Sequence, residues 1–262
     1  MTTEADKPAL DLSYSIEDFE AGTHRDSQYL YRIIEDTMLE LSSDVRGGRV
    51  LDVACGTGKQ AMRIAERGCY TIGTEASDQM IGLGRWLQPE SRAGMVRSIA
   101  EELPFADASF DRIMCQGSLD HFSDPMAFMR EAARITKPNG RIIIALANFE
   151  SVSCRLGRGV DALQRRLRRP RPSWRLYWQV PEDHNVKGDL AYVRSLHAGA
   201  LSLERCFGLS FLWNVAPVTW LVDHLPERMA SPLWHGMSRL VRTRPQHSDM
   251  IISVWRKKNP GA

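Results

Sequence analysis

A glycine-rich loop near residue 55 has the composition of a ligand-binding turn. The apolar run Arg49–Val53 leads into Ala54–Gly58, and Gln60–Arg67 has the pattern of a helix. Glycines at such a strand-to-helix turn let a ligand approach the backbone, and the start of the helix offers free amide groups. The spacing Gly56-x-Gly58-x-x-Ala61 also fits the fingerprint of dinucleotide-binding enzymes. The loop therefore predicts a nucleotide-like ligand.

Two acidic residues near this loop bear on which nucleotide-like ligand it binds. Glu75 ends the next predicted strand, at about the distance expected for an acid that binds a ribose diol. Asp52 lies inside the first strand, where its charge would repel phosphate groups and attract the cationic amino and sulfonium groups of S-adenosylmethionine. Glu75 fits both kinds of ligand, and it is Asp52 that favours S-adenosylmethionine over NAD. Structural roles stay open, with Asp52 as a cap of the next helix and Glu75 as a solvated acid.

Three further side chains could act on an acceptor molecule. His121 follows the fourth predicted strand and could remove a proton, because an imidazole titrates near neutral pH. Asp120 could orient His121 or act as the base itself, and His184 is another candidate base. Each could equally be a packed or hydrogen-bonded loop residue. Methyl transfer depends strongly on positioning, so some acceptors need no base.

Five stretches between Val50 and Ala147 resemble the class I S-adenosylmethionine-dependent methyltransferases, particularly their ubiquinone/menaquinone-biosynthesis-like (type 11) branch. The most specific is Ala100–Asp111, with Leu-Pro-Phe followed by Ser-Phe-Asp, which is similar to the family pattern nearly residue for residue. The other stretches are Val50–Lys59, Ile72–Ser77 with Met80, Gly117–Phe122 and Glu131–Ala145.

The resemblance implies which residues contact the cofactor. Ala54 stands where the family usually has the first glycine of its loop. Ile99 stands where many members have an acid that contacts the adenine, so this contact would pass to Ala100 or Glu101. The implied cofactor-binding residues are Asp52, Ala54, Gly56, Gly58, Glu75, Ala76, Met80, Ala100, Glu101, Gln116 and Gly117.

Alternating helices and strands must position these residues. Such alternation indicates a parallel sheet, and open α/β sheets bind ligands at the carboxyl ends of their strands. The predicted strands are 49–53, 69–74, 95–99, 110–116, 141–147, 208–215 and 250–255. The predicted helices are 27–41, 60–67, 77–87, one that begins at Asp124-Pro125, and 188–206.

We therefore expect one α/β domain with a doubly wound, mostly parallel sheet. The resemblance implies a Rossmann-like methyltransferase fold of seven strands, the last one antiparallel. The expected divisions are an N-terminal helical cap (1–47), a cofactor-binding core (48–147), an inserted lid and acceptor region (148–200), and a C-terminal helix and strands (201–262).

The inserted region contains a basic amphipathic segment. Between Arg155 and Arg175 eight arginines accompany one acid, Asp161. The segment could be a lid with solvated arginines, a transient contact for an anionic acceptor or a membrane surface, or an RNA-binding element. Its apolar stripe is Val160, Leu163 and Leu167. The aromatic residues that could line an acceptor pocket, or belong to the core, are Trp174, Tyr177, Trp178, Trp213 and Trp220.

Composition excludes several other classes. A formal charge of +2 over 262 residues gives no global nucleic-acid signature. The five cysteines include no CxxC pair and no zinc-type cluster, so we expect reduced thiols and no metal site. The acidic N-terminus lacks a secretion signal, and no apolar run is long enough for a membrane span. These features predict a soluble, cytoplasmic protein.

The expected function is S-adenosylmethionine-dependent methylation of a small or medium-sized, aromatic or lipid-like metabolite, without a stable nucleic-acid partner. A tRNA or other nucleic-acid methyltransferase is the main alternative. An NAD(P)-dependent oxidoreductase and a cofactor-binding regulator without catalysis are further alternatives. The sequence indicates neither the acceptor atom nor the oligomeric state.

Overall fold

A computed structural model describes residues 24–168, 176–197, 199 and 201–258. The described residues form a seven-stranded sheet with helices on both faces. The strands are β1 (Arg49–Val53), β2 (Tyr70–Glu75), β3 (Gly94–Arg97), β4 (Phe110–Gln116), β5 (Thr136–Ala147), β6 (Leu201–Leu209) and β7 (Met250–Lys257). The helices are α1 (Arg25–Ser42), α2 (Lys59–Glu66), α3 (Asp78–Leu87), α4 (Pro125–Ile135), α5 (Val152–Arg166), α6 (Leu190–Ser195), α7 (Ala216–His224) and α8 (Glu227–Val241).

The order of the strands across the sheet is β3-β2-β1-β4-β5-β7-β6. Strands β1 to β5 pair in parallel, whereas β7 is antiparallel to both β5 and β6. This confirms the expected doubly wound sheet and its antiparallel last strand. Because β1 lies between β2 and β4, connections leave it toward both sides, and a crevice opens there at the carboxyl ends of the strands.

Alternating side chains of the central strands build two apolar layers. Leu51 and Ile142 belong to the cluster on one face, and Val50 and Ile143 belong to the cluster on the other. A strand that is buried on both faces reads as a continuous apolar run, which is why β5 could be predicted. The strand begins at Thr136 and not at the expected residue 141, because 137–140 is an irregular part of the strand, with Asn139 at φ 68°.

Local capping explains where the helices of the parallel half begin. The Ser77 side chain accepts the amide of Met80 at the start of α3. Asp124 caps α4 by accepting the amides of Met126 and Ala127, with Pro125 in the first turn. A cap residue satisfies amides that the helix itself leaves unpaired. Both starts agree with the sequence prediction.

The C-terminal third departs from the prediction. The helix expected at 188–206 ends at Ser195, and 201–209 is the edge strand β6, which holds Cys206. The strand expected at 208–215 is therefore wrong beyond Leu209, where Ser210, Leu212 and Asn214 adopt positive φ and end the extended backbone. Helices α7 and α8 were not predicted. Pairing of β6 with β7 outweighs the local helical pattern, as context often does for strands.

Helix α1 confirms the helix expected before the first strand. It packs on the same face of the sheet as α8, with Met38 and Trp234 fully buried there. Its Glu35 side chain pairs with Lys59 and Arg63 of α2. Residues 1–23 of the expected cap lie outside the described residues. In the described part of the chain, every helix is too short or too polar to cross a bilayer.

Candidate functional site

Three loops meet at the carboxyl ends of β1, β2 and β4. They are the glycine-rich loop after Val53, the turn after Glu75 and the loop after Gln116. The register pairs Val53 with Thr74 on one side and with Cys115 on the other, so the loops start side by side. The Ser118 hydroxyl donates to the carbonyl of Ala54 at 3.4 Å and ties two of them together. The candidate site is this crevice.

The glycine-rich loop depends on left-handed backbone. Ala54, Gly56 and Gly58 have φ of 53°, 56° and 78°. Such conformations are costly for a residue with a Cβ, which explains why a glycine at position 54 would be the easier choice. A Cβ on Gly84 of α3 would lie 2.3 Å from the carbonyl oxygen of Thr57, so α3 also packs directly against the loop backbone.

Asp52 is a buried acid at the floor of the crevice. It is 2 % exposed, and its Oδ2 atom has no hydrogen-bond partner among the described residues. The pKa of this carboxyl is raised to about 7, mainly by burial and to a smaller extent by the nearby Glu75, while the amide of Ala61 opposes the shift. Since Ala61 lies in the first turn of α2, Asp52 partly fulfils the structural role of a helix cap. Its second oxygen remains available to a cationic group.

Glu75 is the second buried acid, 6 % exposed. Its Oε2 accepts the Gly56 amide at 2.9 Å, and its Oε1 accepts the amides of Ala76 and Ser77. The side chain therefore joins the turn after β2 to the glycine-rich loop. Each carboxylate oxygen can accept more than one hydrogen bond, so these contacts leave acceptor capacity for hydroxyl groups.

The remaining residues that the resemblance implies for the cofactor lie at different depths. Met80 and Ala100 are buried in the core, whereas Gly117 has φ 67° and open space beside it. The Gln116 amide oxygen accepts from Gln60 at 3.3 Å. The Glu101 carboxylate accepts the amides of Ser123 and Asp124, a structural contact that its sequence position did not reveal.

The three predicted acid–base residues form one cluster, which we call the Asp–His–His cluster: Asp120, His121 and His184. The Oδ2 atom of Asp120 lies 3.0 Å from Nδ1 of His184, and the two histidine rings are 4.5 Å apart between centroids in an edge-to-face arrangement. Asp120 is buried, and its Oδ1 atom has no hydrogen-bond partner among the described residues. Burial raises the pKa of Asp120, whereas the two histidines lower it.

Contacts around residue 185 hold the cluster together. The backbone amide of Asn185 donates to the carbonyl of Asp120 at 2.7 Å, and its side chain donates to the carbonyls of His121 and Phe122. The Asp183 carboxylate lies 3.2 Å from Nδ1 of His121. The sequence pairs Asp120 with His121 in one loop and offers His184 as a separate candidate. Asp183 and Asn185 were not predicted, because no local pattern links 183–185 to 120–122.

Some of the aromatic residues after the basic segment form a group beside α5. Tyr177 contacts Trp178 and Trp213, with ring centroids 4.8 Å and 6.1 Å apart. The Trp178 ring covers Gly157, where a Cβ would lie 2.1 Å from it. Trp220 does not join this group, since it is 62 % exposed. Trp174 lies outside the described residues.

Helix α5 presents its apolar stripe to solvent. Val160, Leu163 and Leu167 are 51 %, 57 % and 58 % exposed. About half of each of these side chains therefore stays uncovered by the described part of the chain. Of the arginines, Arg158 pairs with Glu150 at 2.8 Å and Arg165 pairs with Asp161 at 2.9 Å. The predicted segment continues through 169–175, which lie outside the described residues.

Comparison with known proteins agrees with this architecture. Residues 51–144 match the family model described as a methyltransferase domain. An O-methyltransferase of Aspergillus nomiae is 40% identical over 111 residues, which cover 40% of this chain and 49% of that protein. A demethylmenaquinone methyltransferase of Clavibacter sepedonicus is 36% identical over 101 residues, covering 38% and 41%. The chain thus spans less than half the length of these curated relatives.

The similarity to solved structures extends over more of the chain. A Thermotoga maritima S-adenosylmethionine-dependent methyltransferase superposes with a TM-score of 0.58 at 17% sequence identity, covering 87% of this chain and 92% of that one. At this identity the likeness concerns the fold. The seven-stranded sheet described above is therefore the Rossmann-like methyltransferase fold.

Proposed function

We propose that this protein is an enzyme that transfers a methyl group from S-adenosylmethionine to a small acceptor, in keeping with the match of residues 51–144 to the methyltransferase domain model. The observation that carries the proposal is the buried Asp52 carboxylate beside the glycine-rich loop, with an oxygen that has no partner among the described residues. An unpaired buried acceptor costs free energy unless a ligand satisfies it.

The residues of the crevice fit this cofactor. Asp52 complements the cationic amino group, and the Glu75 carboxylate accepts from the ribose hydroxyls. Open space beside Gly56 and Gly117 lets the ligand approach the backbone. Bound S-adenosylmethionine supplies an electrophilic methyl group. Two acids within one crevice disfavour the diphosphate of NAD, so an oxidoreductase is the weaker reading.

The acceptor is proposed to lie on the side of the Asp–His–His cluster. The loop that carries Asp120 and His121 is bonded to the glycine-rich loop through Ser118, so the cluster borders the cofactor crevice. His121 is the more exposed of the two histidines and is proposed to take the proton of an acceptor hydroxyl. The buried Asp120 stabilises the positive charge that then forms on the histidines.

Relatives suggest the class of acceptor. The O-methyltransferase and the demethylmenaquinone methyltransferase named above act, by their names, on oxygen and on a quinone precursor. We infer an aromatic or lipid-like acceptor for this chain. The aromatic group of Tyr177, Trp178 and Trp213 offers the apolar surface that such a molecule would contact.

The division of the chain follows from this proposal. Residues 1–47 would form a cap, 48–147 the cofactor core, 148–200 the lid and acceptor region, and 201–262 the segment that completes the sheet. The arginine segment would act as a lid that contacts anionic acceptors or membrane surfaces transiently. A nucleic-acid methyltransferase is less favoured, since several of these arginines already pair with acids. The five cysteines form no disulfide, which supports residence in the cytoplasm.

Incubation with labelled S-adenosylmethionine and a panel of acceptors tests the proposal. The panel would contain catechols, hydroxylated quinols, indoles and unmodified tRNA. We expect label in one of the small aromatic molecules, identified by mass spectrometry. Label in tRNA alone would favour the nucleic-acid alternative. Tight cofactor binding without transfer to any acceptor, including those of a cell extract, would favour the regulator.

A further inference from the structure

The Asp–His–His cluster has the composition of a metal site. Asp120, His121 and His184 each offer one ligand atom, and these atoms all lie within 4.8 Å of one another. We propose that this cluster binds one divalent transition-metal ion. The zinc-type spacing that a sequence search looks for is absent, because His184 is separated from the other two residues by more than 60 positions.

The distance between Asp120 and His184 already suits a shared ion, whereas His121 must move closer. Ligands bound at right angles at about 2.1 Å from an ion lie about 3 Å apart, and the Asp120 oxygen and the His184 nitrogen are 3.0 Å apart. The His121 side chain is about one-third exposed, so a change of rotamer can bring its ring closer. Three protein ligands also leave coordination positions for water or an acceptor oxygen.

The donor set selects the kind of ion. Two imidazoles and one carboxylate suit zinc, iron, cobalt and manganese, whereas magnesium and calcium prefer oxygen ligands alone. The buried Asp120 carboxyl supplies the anionic ligand, with Oδ2 next to His184 and Oδ1 without a partner among the described residues. An ion would also stabilise the ionised form of this carboxyl, against the effect of its burial.

The surroundings match those of metal-bound histidines. A histidine ligand usually has its second ring nitrogen hydrogen-bonded to a carboxylate or a carbonyl, which fixes its orientation. The Asp183 carboxylate, 3.2 Å from Nδ1 of His121, can play this part while Nε2 ligates. The Phe149 ring lies against His184 with its centroid 5.7 Å away and limits the positions of that imidazole.

The role of the ion rests on the proposed function, whereas its binding does not. An acceptor hydroxyl that coordinates the ion would have a lowered pKa, so that its proton leaves to solvent. His121 would then be a ligand, and the ion would replace it as the group that makes the acceptor oxygen anionic. The site would favour acceptors with two adjacent oxygens, which can chelate.

Titration of the chelator-treated, untagged full chain with Co²⁺ tests the binding. We expect one equivalent to bind, with a visible absorption band, and Zn²⁺ to displace it, whereas Mg²⁺ does not. Asp120→Asn and His184→Ala should weaken Co²⁺ binding at least about tenfold. The exposed His235 on α8 provides the matched control, and His235→Ala should bind Co²⁺ like the wild type.

Two results would overturn the proposal: no saturable Co²⁺ binding by the wild type, or equal affinity in His184→Ala. Circular dichroism would show whether the variants fold. If His184→Ala does not fold, His121→Ala provides the test, because unchanged Co²⁺ affinity in that variant would equally contradict the metal site. Calorimetry with S-adenosylmethionine on the metal-free protein keeps the two proposals separate. Cofactor binding without metal binding would reject only the metal site.

Discussion

The two halves of this molecule differ in the kind of contacts that determine their structure. In the parallel half, Arg49–Ala147, parallel strands alternate with helices, and the candidate site residues Asp52 and Glu75 lie at the carboxyl ends of their own strands. In the C-terminal half, of which 148–168, 176–197, 199 and 201–258 are described, antiparallel strands and surface helices bring distant residues together. The Asp249 carboxylate, for instance, accepts from Ser153 and Ser210 at once. Local sequence therefore specifies the first half, and long-range contacts specify the second.

This difference has a functional meaning. The cofactor crevice stays fixed by short connections, two buried acids and glycines with positive φ. The proposed acceptor side combines an insertion and exposed helices with the Asp–His–His cluster, in which Asp120 and His121 belong to the parallel half and His184 lies 64 positions after Asp120. Loops on a rigid scaffold are where specificity varies most easily. Perturbing the two sides separately should therefore affect different measurements.

The largest difference between the effects on turnover and on cofactor affinity is expected for His121→Ala. If the acceptor must lose a proton, turnover should fall by about 10²–10⁴ while cofactor affinity stays nearly unchanged. Steady-state kinetics and calorimetry on the same preparation measure both quantities, with His235→Ala as the control. A rate within about threefold of the wild type would return His121 to a structural role.

Asp52→Asn should affect stability and binding in opposite directions. The pKa of this carboxyl is about 7 in the folded chain, against 3.8 for an ordinary aspartate. Between these values the folded protein holds a proton that the unfolded chain releases, so stability declines as pH rises. The penalty is complete above about pH 7 and amounts to about 4 kcal/mol.

An uncharged asparagine avoids this penalty. Denaturant unfolding at about pH 8 should therefore show Asp52→Asn to be more stable than the wild type, with the difference vanishing near pH 4. The same variant should lose most of its cofactor affinity. Lower stability of Asp52→Asn at both pH values would show that the acid is well solvated or paired in the folded protein.

Glu75→Gln should weaken cofactor binding by about 1.5–3 kcal/mol, because a hydrogen bond to a charged acceptor is worth this much. The change keeps the acceptor oxygen and removes the charge. Glu101→Gln should weaken cofactor binding less, since the carboxylate of Glu101 accepts the amides of Ser123 and Asp124. Calorimetry that finds equal affinity for the wild type and Glu75→Gln would remove Glu75 from the site.

The smallest effect is expected on α5. Replacing Arg165, Arg166 and Arg168 with glutamine should change the unfolding free energy by no more than about 1 kcal/mol, because exposed ion pairs contribute little. We expect an altered KM for the acceptor and equally weak RNA binding in both proteins. Tight tRNA binding by the wild type that falls steeply with salt and is lost in the variant would contradict the lid.

The sequence predicts the parallel half closely because turns and helix caps mark its elements locally. Strands β1 and β4 have the predicted bounds because turns delimit both apolar runs. Asp124 and Pro125 mark the start of α4 through local hydrogen bonding. Such local signals do not predict the C-terminal half. Strand β6 forms because β7 pairs with it, and the exposure of the apolar stripe of α5 does not follow from its pattern.

The same distinction applies within the candidate site. The positions of Asp52 and Glu75 follow from the ends of neighbouring strands. The contact between Asp120 and His184 depends on Asn185, which bonds the two loops together, and no spacing in the chain encodes it. Candidate residues could therefore be named one by one, but their arrangement required the structure.

We propose that the crevice between β1, β2 and β4 binds S-adenosylmethionine through the buried acids. Titration calorimetry of the full chain with S-adenosylmethionine, S-adenosylhomocysteine and NAD measures this binding. We expect micromolar binding of both sulfur nucleotides, about −8 kcal/mol. This binding should strengthen between pH 6 and 8 as Asp52 loses its proton. NAD should give no comparable heat. Tight NAD binding without heat from either sulfur nucleotide would contradict this proposal.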